Sequence, residues 1–177
     1  MYHPLGLFPR RHLVNIYRLI HHLSFPKGAS GNDGLSSEDS SVQYATITFV
    51  KSVGKNCFLA KIDIKNAFRI IPVHPDDYPL LGIFWKGSFY YDKCMPMGCS
   101  SSCKIFETFS TTVEWVARHK LSIPYILHLL NDFLIVAPTE SLCHSQLNIF
   151  LDMCSYSHPY SAGKNSRAIA DSFLRRH

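Results

Sequence analysis

The chain has 177 residues, of which 46% are hydrophobic and 18% are charged, and its 18 Lys and Arg against 13 Asp and Glu give a formal net charge of +5 at pH 7. This length and composition exclude a disordered tail and a multidomain machine, and they indicate about one globular domain. The mild positive charge permits an anionic partner such as nucleic acid without requiring one.

The first part of the chain contains one ambiguous element, one loop and one predicted helix. Residues 13–20 are β-branched enough for a strand, although a short helix fits nearly as well. Residues 24–41 are rich in Ser, Gly, Asn and Asp, which predicts a long loop. Ser41 is a suitable N-cap for a helix that runs to about Ser52 and is stopped by Gly54.

Short strands dominate the next segment. Residues 57–63 form a mostly apolar stretch that ends on the carboxylate of Asp63, and a helical turn closed by Pro72 follows. Two apolar and aromatic runs at residues 80–85 and 88–91 are separated by a Lys-Gly pair. That spacing predicts a β-hairpin.

Two long helices are predicted in the second half of the chain. The first runs from about Ser100 to His119, and the second is capped by Thr139 and reaches about Cys154. The apolar residues of the first helix recur at intervals of three and four, which indicates one face packed on a core. The residues predicted on that face are Ile105, Phe109, Val113 and Val116.

Between these helices lies a polar pair within a long apolar stretch. Residues 125–130 and 133–137 predict two buried strands, and Asn131 and Asp132 separate them. An unpaired carboxylate inside an apolar strand would cost several kcal/mol. A tight hairpin with Asn131 and Asp132 at its tip is therefore the simplest geometry.

The carboxylates at these strand ends have two interpretations. Asp63 and Asp132 can meet at one edge of a sheet, and phosphoryl-transfer enzymes use clustered carboxylates to hold two Mg²⁺ ions about 3.5–4 Å apart. The simpler interpretation from the residues alone is that Asp63 caps the following helical turn and that the Asn131 and Asp132 pair is an ordinary hairpin tip.

Nothing in the sequence indicates a membrane or secreted protein. No stretch reaches the roughly 18 apolar residues of a membrane span, and no signal-peptide block follows Arg10 and Arg11. The six cysteines form no CxxC pair and lie in or beside apolar stretches, as reduced thiols do. We expect an intracellular chain, in the cytoplasm or the nucleus, with no membrane partner.

Three segments carry the most distinctive patterns, and their order along the chain is specific. They are Phe58-Leu-Ala-Lys-Ile-Asp63-Ile-Lys-Asn-Ala-Phe68-Arg, Met95-Pro-Met-Gly98-Cys-Ser-Ser-Ser and Ile126-Leu-His-Leu-Leu-Asn131-Asp132-Phe-Leu. Together they resemble motifs A, B and C of reverse transcriptases. Their amino-acid sequences are most similar to those of retrotransposons of the tyrosine-recombinase (DIRS-like) group. The segments 17–24 and 31–34 look like the fingers region that precedes motif A in those elements.

The resemblance covers residues 13–156 and implies both a fold and a reaction. The fold is α+β, a polymerase palm in which helices back an antiparallel sheet, with partial fingers and no thumb. The reaction is RNA-directed DNA synthesis, in which deoxynucleoside triphosphates are added to the 3′-hydroxyl of a DNA primer on an RNA template. The family uses two Mg²⁺ ions, accepts Mn²⁺, and commonly carries an RNase H domain.

The resemblance also assigns residues, each of which has a plainer alternative. It makes Asp63 and Asp132 the catalytic metal ligands. In nucleotide binding, Arg18 matches the residue that holds the triphosphate, Phe68 the aromatic that blocks a ribonucleotide 2′-hydroxyl, and Met97 and Gly98 the loop against template and nucleotide. From the sequence alone, Arg18 fits a solvated strand residue and Phe68 fits a buried helix residue. Met97 and Gly98 fit an ordinary turn at the start of a helix.

Asn131 departs from the family, whose motif C ends in paired aspartates. Asn131 lacks the negative charge that an aspartate would place beside the metal ions. Two unit charges about 4 Å apart interact by about 4 kcal/mol at an effective dielectric constant of about 20. We expect weakened metal binding and a rate lower by about a thousandfold or more. The prediction is an inactive polymerase, and the alternative is a non-catalytic remnant that binds nucleic acid or protein.

Residues 157–177 do not continue the resemblance. After Tyr156 the family proceeds to a strand that grips the primer and then to a thumb, whereas this segment is basic and lacks periodicity. We expect residues 157–177 to be an unrelated, disordered basic tail on a truncated palm. A nucleic-acid contact through its basic residues is the alternative.

Overall fold

The computed structural model describes residues 5–9, 17–42, 53–54, 56–156 and 170–176. The chain divides into two compact units. The first unit comprises Met1–Val42 and Ala67–Phe106, and the second comprises Gln43–Asn66 and Glu107–His177.

In the first unit, two antiparallel strands precede a loop with short helical turns. Strand β1 (Leu5–Pro9) pairs with β2 (Tyr17–His21), so the ambiguous segment near residue 17 is a strand. The predicted loop contains a 3₁₀ turn at Gly31–Gly34 and a single helical turn, α1 (Ser37–Ser40). The predicted helix from Ser41 to Ser52 lies mostly outside the described residues.

The rest of the first unit contains the predicted hairpin. Strand β4 (Gly82–Trp85) pairs with β5 (Ser88–Tyr91), after 3₁₀ turns at Ala67–Ile70 and Pro75–Leu81. The two connecting residues have positive φ, 48° at Lys86 and 77° at Gly87. A type I′ turn requires this left-handed backbone, which glycine adopts without strain.

The second unit is built on one four-stranded antiparallel sheet. Its strand order is β6 (Ile126–Leu129), β7 (Asp132–Ala137), β3 (Phe58–Ile64) and β8 (Ala170–Arg176). Residues alternate in burial along β3 and the start of β7, as expected when one face of a strand meets the core. Fully buried side chains of this unit include Ile62, Ile126, Phe133, Ile135 and Phe150.

Helix α3 (Glu140–Tyr156) packs on strands β3 and β7. Its N-terminus has the predicted cap, because the Leu142 N–H donates to the Thr139 hydroxyl at 3.3 Å. On its inner face Phe150 lies 5.1 Å, between ring centroids, from Phe133. The predicted helix is therefore confirmed, and it extends two residues beyond Cys154.

Helix α2 (Ser102–Lys120) is present as predicted, but its buried face is not the predicted one. Ile105 is 46% exposed. The buried stripe is rotated by about one residue because two small hydroxyl side chains occupy it and find carbonyl partners: Ser102 donates to the Pro96 oxygen and Ser110 to the Leu130 oxygen. The buried residues of α2 are Ser102, Phe106, Ser110 and Ala117.

Two further expectations differ from the structure. The β6–β7 turn consists of Leu130 and Asn131, so Asp132 is the first residue of β7 and not part of the tip. Residues 170–176 of the expected disordered tail form β8, which satisfies the backbone hydrogen bonds of the edge that β3 would otherwise present. Residues 157–169 lie outside the described part of the chain.

Two expectations about chemistry and location can be compared with the structure. All six cysteines, each of which is described, are free thiols. Among the described residues, no helix is both long enough and apolar enough to cross a membrane.

Candidate active site

The second unit places the two predicted catalytic carboxylates directly opposite each other. Asp63 pairs in register with Asp132 across strands β3 and β7. Side chains opposite each other on an antiparallel pair have Cβ atoms about 4.5–5.5 Å apart. The two aspartates are far apart along the chain, and the pairing of β3 with β7 makes them neighbours.

Asn131, which precedes Asp132, is hydrogen-bonded to β3. Its side-chain amide donates a short hydrogen bond to Oδ1 of Asp63, and its carbonyl oxygen accepts the Ile64 N–H at 2.9 Å. The preceding residue, Leu130, has a φ of 52°. The position at which the resemblance expects a carboxylate thus holds an amide that donates to Asp63.

Lys61 adds a positive charge on the same face of β3. Alternation along the strand places Lys61 and Asp63 on one side and the buried Ile62 on the other. The Lys61 Nζ lies 3.0 Å from Oδ1 of Asp132, and the two side chains are 56% and 41% exposed. An ion pair this exposed contributes roughly 0–1 kcal/mol to stability.

The donor set fits one divalent cation held by two carboxylates. Carboxylate and amide oxygens are ligands that Mg²⁺ accepts, and Asp63, Asp132 and Asn131 supply both types. In the structure, however, Asp63 accepts from the Asn131 amide and Asp132 pairs with Lys61. Within the described ranges, no group of three or more His, Cys, Asp or Glu side chains could hold a metal ion. A bound ion would have to displace both contacts.

The predicted nucleotide-binding loop lies in the first unit and is attached to β2. The His21 N–H donates to the Met97 carbonyl oxygen at 3.0 Å. Gly98 has a φ of 112°, and a Cβ on it would lie 2.0 Å from the His21 carbonyl oxygen. Glycine is therefore required at position 98 by the protein's own backbone, irrespective of any ligand.

A side chain that the sequence argument did not single out also holds this loop. The Asn32 amide donates to the Gly98 carbonyl oxygen at 2.9 Å, and its Oδ1 accepts the Ser100 N–H at 2.9 Å. The signal in the sequence was the segment 31–34, which resembles the fingers region. That resemblance indicated a region but gave no role to Asn32.

The other two predicted nucleotide-binding residues also belong to the first unit. Phe68 is partly exposed and makes an edge-to-face contact with Phe106, with ring centroids 5.4 Å apart. Phe68 therefore contacts the buried Phe106 while part of its own side chain stays exposed. The backbone of Arg18 pairs with Phe8 in the β1–β2 sheet, and its side chain lies outside the described part of the chain.

His128 is a buried polar residue that sequence reasoning missed, because it lies within an apolar strand and no motif marks it. Its Nδ1 is 2.5 Å from Oε2 of Glu114, and its Nε2 is 3.1 Å from Oε1 of Glu107. Burial, the largest single influence, lowers the pKa of His128. The hydrogen bond to Glu114 and the charges of Glu107 and Glu114 together outweigh this effect, so the pKa of His128 is raised above its ordinary value.

Solved structures with a similar fold include reverse transcriptases. A foamy viral protease-reverse transcriptase in complex with double-stranded DNA matches with a TM-score of 0.65 and 18% identity, over 86% of this chain and 25% of that chain. The native prototype foamy virus protease-reverse transcriptase matches with a TM-score of 0.63 and 16% identity, over 86% and 19%. The foamy viral enzyme in complex with an RNA/DNA hybrid gives 0.59 and 18%, over 84% and 18%.

These matches define the class of fold. The chain has a mixed helix and sheet fold with antiparallel sheets, similar to reverse transcriptases, at low sequence identity. It spans between 18% and 25% of the length of these three structures. The sequence matches no protein-family model and no curated protein.

Proposed function

We propose that residues 13–156 are the palm and partial fingers of a reverse transcriptase from a retrotransposon of the DIRS-like group. The ancestral reaction is addition of deoxynucleotides to a DNA primer on an RNA template. The observation that carries this proposal is the register pairing of Asp63 with Asp132. Motifs A and C of the family require two such carboxylates side by side, and the similar solved structures include complexes with DNA and with an RNA/DNA hybrid.

In this proposal Asp63 and Asp132 hold Mg²⁺, or Mn²⁺ in its place. When bound, the ion lowers the pKa of the primer hydroxyl and neutralises charge on the leaving pyrophosphate. Arg18 holds the triphosphate, and Phe68 excludes a ribonucleotide. Met97 and Gly98 lie against template and nucleotide, with their backbone fixed by β2.

The same proposal makes this chain a pseudoenzyme. Asn131 supplies no charge, and its amide donates to one of the two metal-binding carboxylates. Lys61 neutralises the other. A divalent ion must compete with both contacts, so metal binding is weak and the rate is reduced by about a thousandfold or more.

The polar contacts at Asp63 and Asp132 also favour a second candidate, a non-catalytic module that binds nucleic acid. Both carboxylates have protein partners in the structure, Asn131 for Asp63 and Lys61 for Asp132. A functional phosphate-binding surface would lose affinity for nucleic acid steeply as the salt concentration is raised. A relic would show no such binding.

Primer extension tests the proposed function. Binding of a DNA primer on an RNA template is first measured across a salt series. Extension of that primer is then compared between the chain and its Asn131→Asp variant, with Mg²⁺ and then with Mn²⁺. We expect the variant to extend the primer about a thousandfold faster. Equal rates in the two proteins would overturn the assignment of Asn131 as the lost carboxylate, and salt-dependent binding without extension by either would favour the non-catalytic module.

A further inference from the structure

Both backbone groups of Leu130 are held by side chains of α2. The Ser110 hydroxyl donates to the Leu130 carbonyl oxygen at 2.7 Å, and the Leu130 N–H donates to Oε2 of Glu107 at 3.3 Å. Leu130 has a φ of 52°, a left-handed conformation that non-glycine residues seldom adopt. Such a conformation persists where surrounding contacts determine it, and here two side chains of one helix do so.

Glu107 is held in turn by a row of charged groups. Its Oε1 lies 3.1 Å from Nε2 of His128, whose Nδ1 lies 2.5 Å from Glu114, and Glu114 pairs with Arg118 at 2.8 Å. The side chains of His128, Glu107 and Glu114 are only 7%, 14% and 16% exposed. Charged residues are seldom this buried unless they are paired, so the row is a specific arrangement and not a solvated helix face.

We infer that Glu107, Ser110 and His128 are positioning residues for the proposed active site, and we call these three the turn bracket. Glu107 and Ser110 bind Leu130 directly, and His128 acts through Glu107. The bracket fixes the backbone from which the site residues project.

The effect reaches the site in one step along the chain. Asn131 follows Leu130 directly, accepts the Ile64 N–H at 2.9 Å and donates to Asp63. Asp132 comes next and is in register with Asp63. A change in the Leu130 backbone would therefore move Asn131 and Asp132 relative to Asp63. The inference rests on the proposed function only in treating this turn as part of an active site.

Amide NMR of the full chain tests the bracket without any need for catalysis. The variants are Ser110→Ala, which removes the donor to Leu130, and Glu107→Ala, with Glu107→Gln as the conservative variant that keeps an acceptor. Thr112→Ala is the matched control, because the Thr112 hydroxyl donates to the Thr108 carbonyl oxygen of its own helix. The readouts are the Asn131 side-chain amide signals, the exchange rate of the Leu130 amide and the thermal midpoint.

The bracket predicts a local change. In Ser110→Ala and Glu107→Ala, Leu130 amide exchange rises about fivefold to tenfold and the Asn131 side-chain signals shift toward those of a free amide, as expected for loss of one hydrogen bond. Glu107→Gln restores part of the protection, and Thr112→Ala has no effect on either readout. Unchanged signals in both Ser110→Ala and Glu107→Ala would overturn the inference, as would the same shift in Thr112→Ala.

A kinetic arm separates this inference from the proposed function. In the Asn131→Asp background, Ser110→Ala is expected to lower kcat for primer extension with little change in KM for the nucleotide, because a positioning residue acts on geometry and not on substrate contacts. A larger effect on KM than on kcat would contradict a positioning role. Absence of extension in the Asn131→Asp protein would reject the proposed function, while the NMR result would still decide whether the bracket holds the turn.

Discussion

Packing requires a glycine at position 98, because a side chain there would collide with the backbone of β2. Its backbone has a φ of 112°, and the nearest obstacle to a Cβ is the His21 carbonyl oxygen, a rigid backbone atom. Gly98→Ala is expected to destabilise the protein by about 2–4 kcal/mol, because strain at a positive φ adds to a steric clash. Chemical denaturation measures this change.

The control for this prediction is Gly34→Ala, since no atom lies within 4 Å of a Cβ built at Gly34. That variant should change the free energy of unfolding by no more than about 0.5 kcal/mol. Similar stabilities for Gly98→Ala and Gly34→Ala would show that the contact with β2 does not require glycine.

In the proposed function, Lys61 competes with the metal ion for Asp132. The Lys61→Met substitution removes the ammonium group 3.0 Å from Oδ1 of Asp132. The negative charges of Asp63 and Asp132 are then less neutralised by the protein. We expect Mn²⁺ affinity, measured by titration calorimetry, to rise about threefold to tenfold. Lys86→Met, at an exposed hairpin turn, is the control. An unchanged affinity in Lys61→Met would mean that the ion pair does not limit metal binding.

At the scale of elements, the contacts of His128 in β6 with Glu107 and Glu114 of α2 make stability depend on pH. The pKa of His128 is raised in the folded protein, so protonation is favoured there relative to the unfolded chain. The stabilisation is complete below the unfolded pKa of about 6.5 and is lost as pH rises through the higher folded pKa. The free energy of unfolding should therefore fall over that window.

The groups that face His128 are Glu107, Glu114 and Thr111 of α2, and Arg118 pairs with Glu114. His128→Gln should flatten the pH dependence in a denaturation series. His144→Gln, on the exposed side of α3, should leave the dependence as it is. A wild-type slope in His128→Gln would contradict the assignment.

Elements with a strong local signal were predictable from the sequence. The β4–β5 hairpin follows from the Lys86 and Gly87 turn, and α3 follows from the Thr139 cap and its apolar periodicity. The predicted buried face of α2 was wrong because periodicity counts apolar residues, whereas Ser102 and Ser110 are buried through hydrogen bonds to the carbonyl oxygens of Pro96 and Leu130, which lie outside the helix. Tertiary partners of this kind leave no local pattern.

The candidate site was predictable in part, for a related reason. Spacing and resemblance brought Asp63 together with Asp132, and the register confirms that they are neighbours. The hairpin tip was displaced by one residue because Leu130 adopts a left-handed conformation that its residue type does not favour. Glu107 and His128, which support this turn, carry no motif, and only the packing of α2 reveals them.

At the scale of the whole molecule, fold similarity persists although sequence identity is low. The similar solved structures share 16% to 18% identity with this chain, and this chain covers less than a third of each. Backbone hydrogen bonding and burial can be preserved by many sequences, whereas a two-metal site depends on particular charges. In the proposed function, Asn131 is the position at which the fold is kept and a catalytic charge is lost.

The most direct test of the account is therefore a comparison of primer extension rates in the chain, in Asn131→Asp and in Asn131→Asp combined with Asp63→Asn. The account predicts a gain of about a thousandfold on restoring the carboxylate, and loss of that gain when Asp63 is removed as well. An Asn131→Asp protein no faster than the parent chain, or a gain that survives Asp63→Asn, would contradict it.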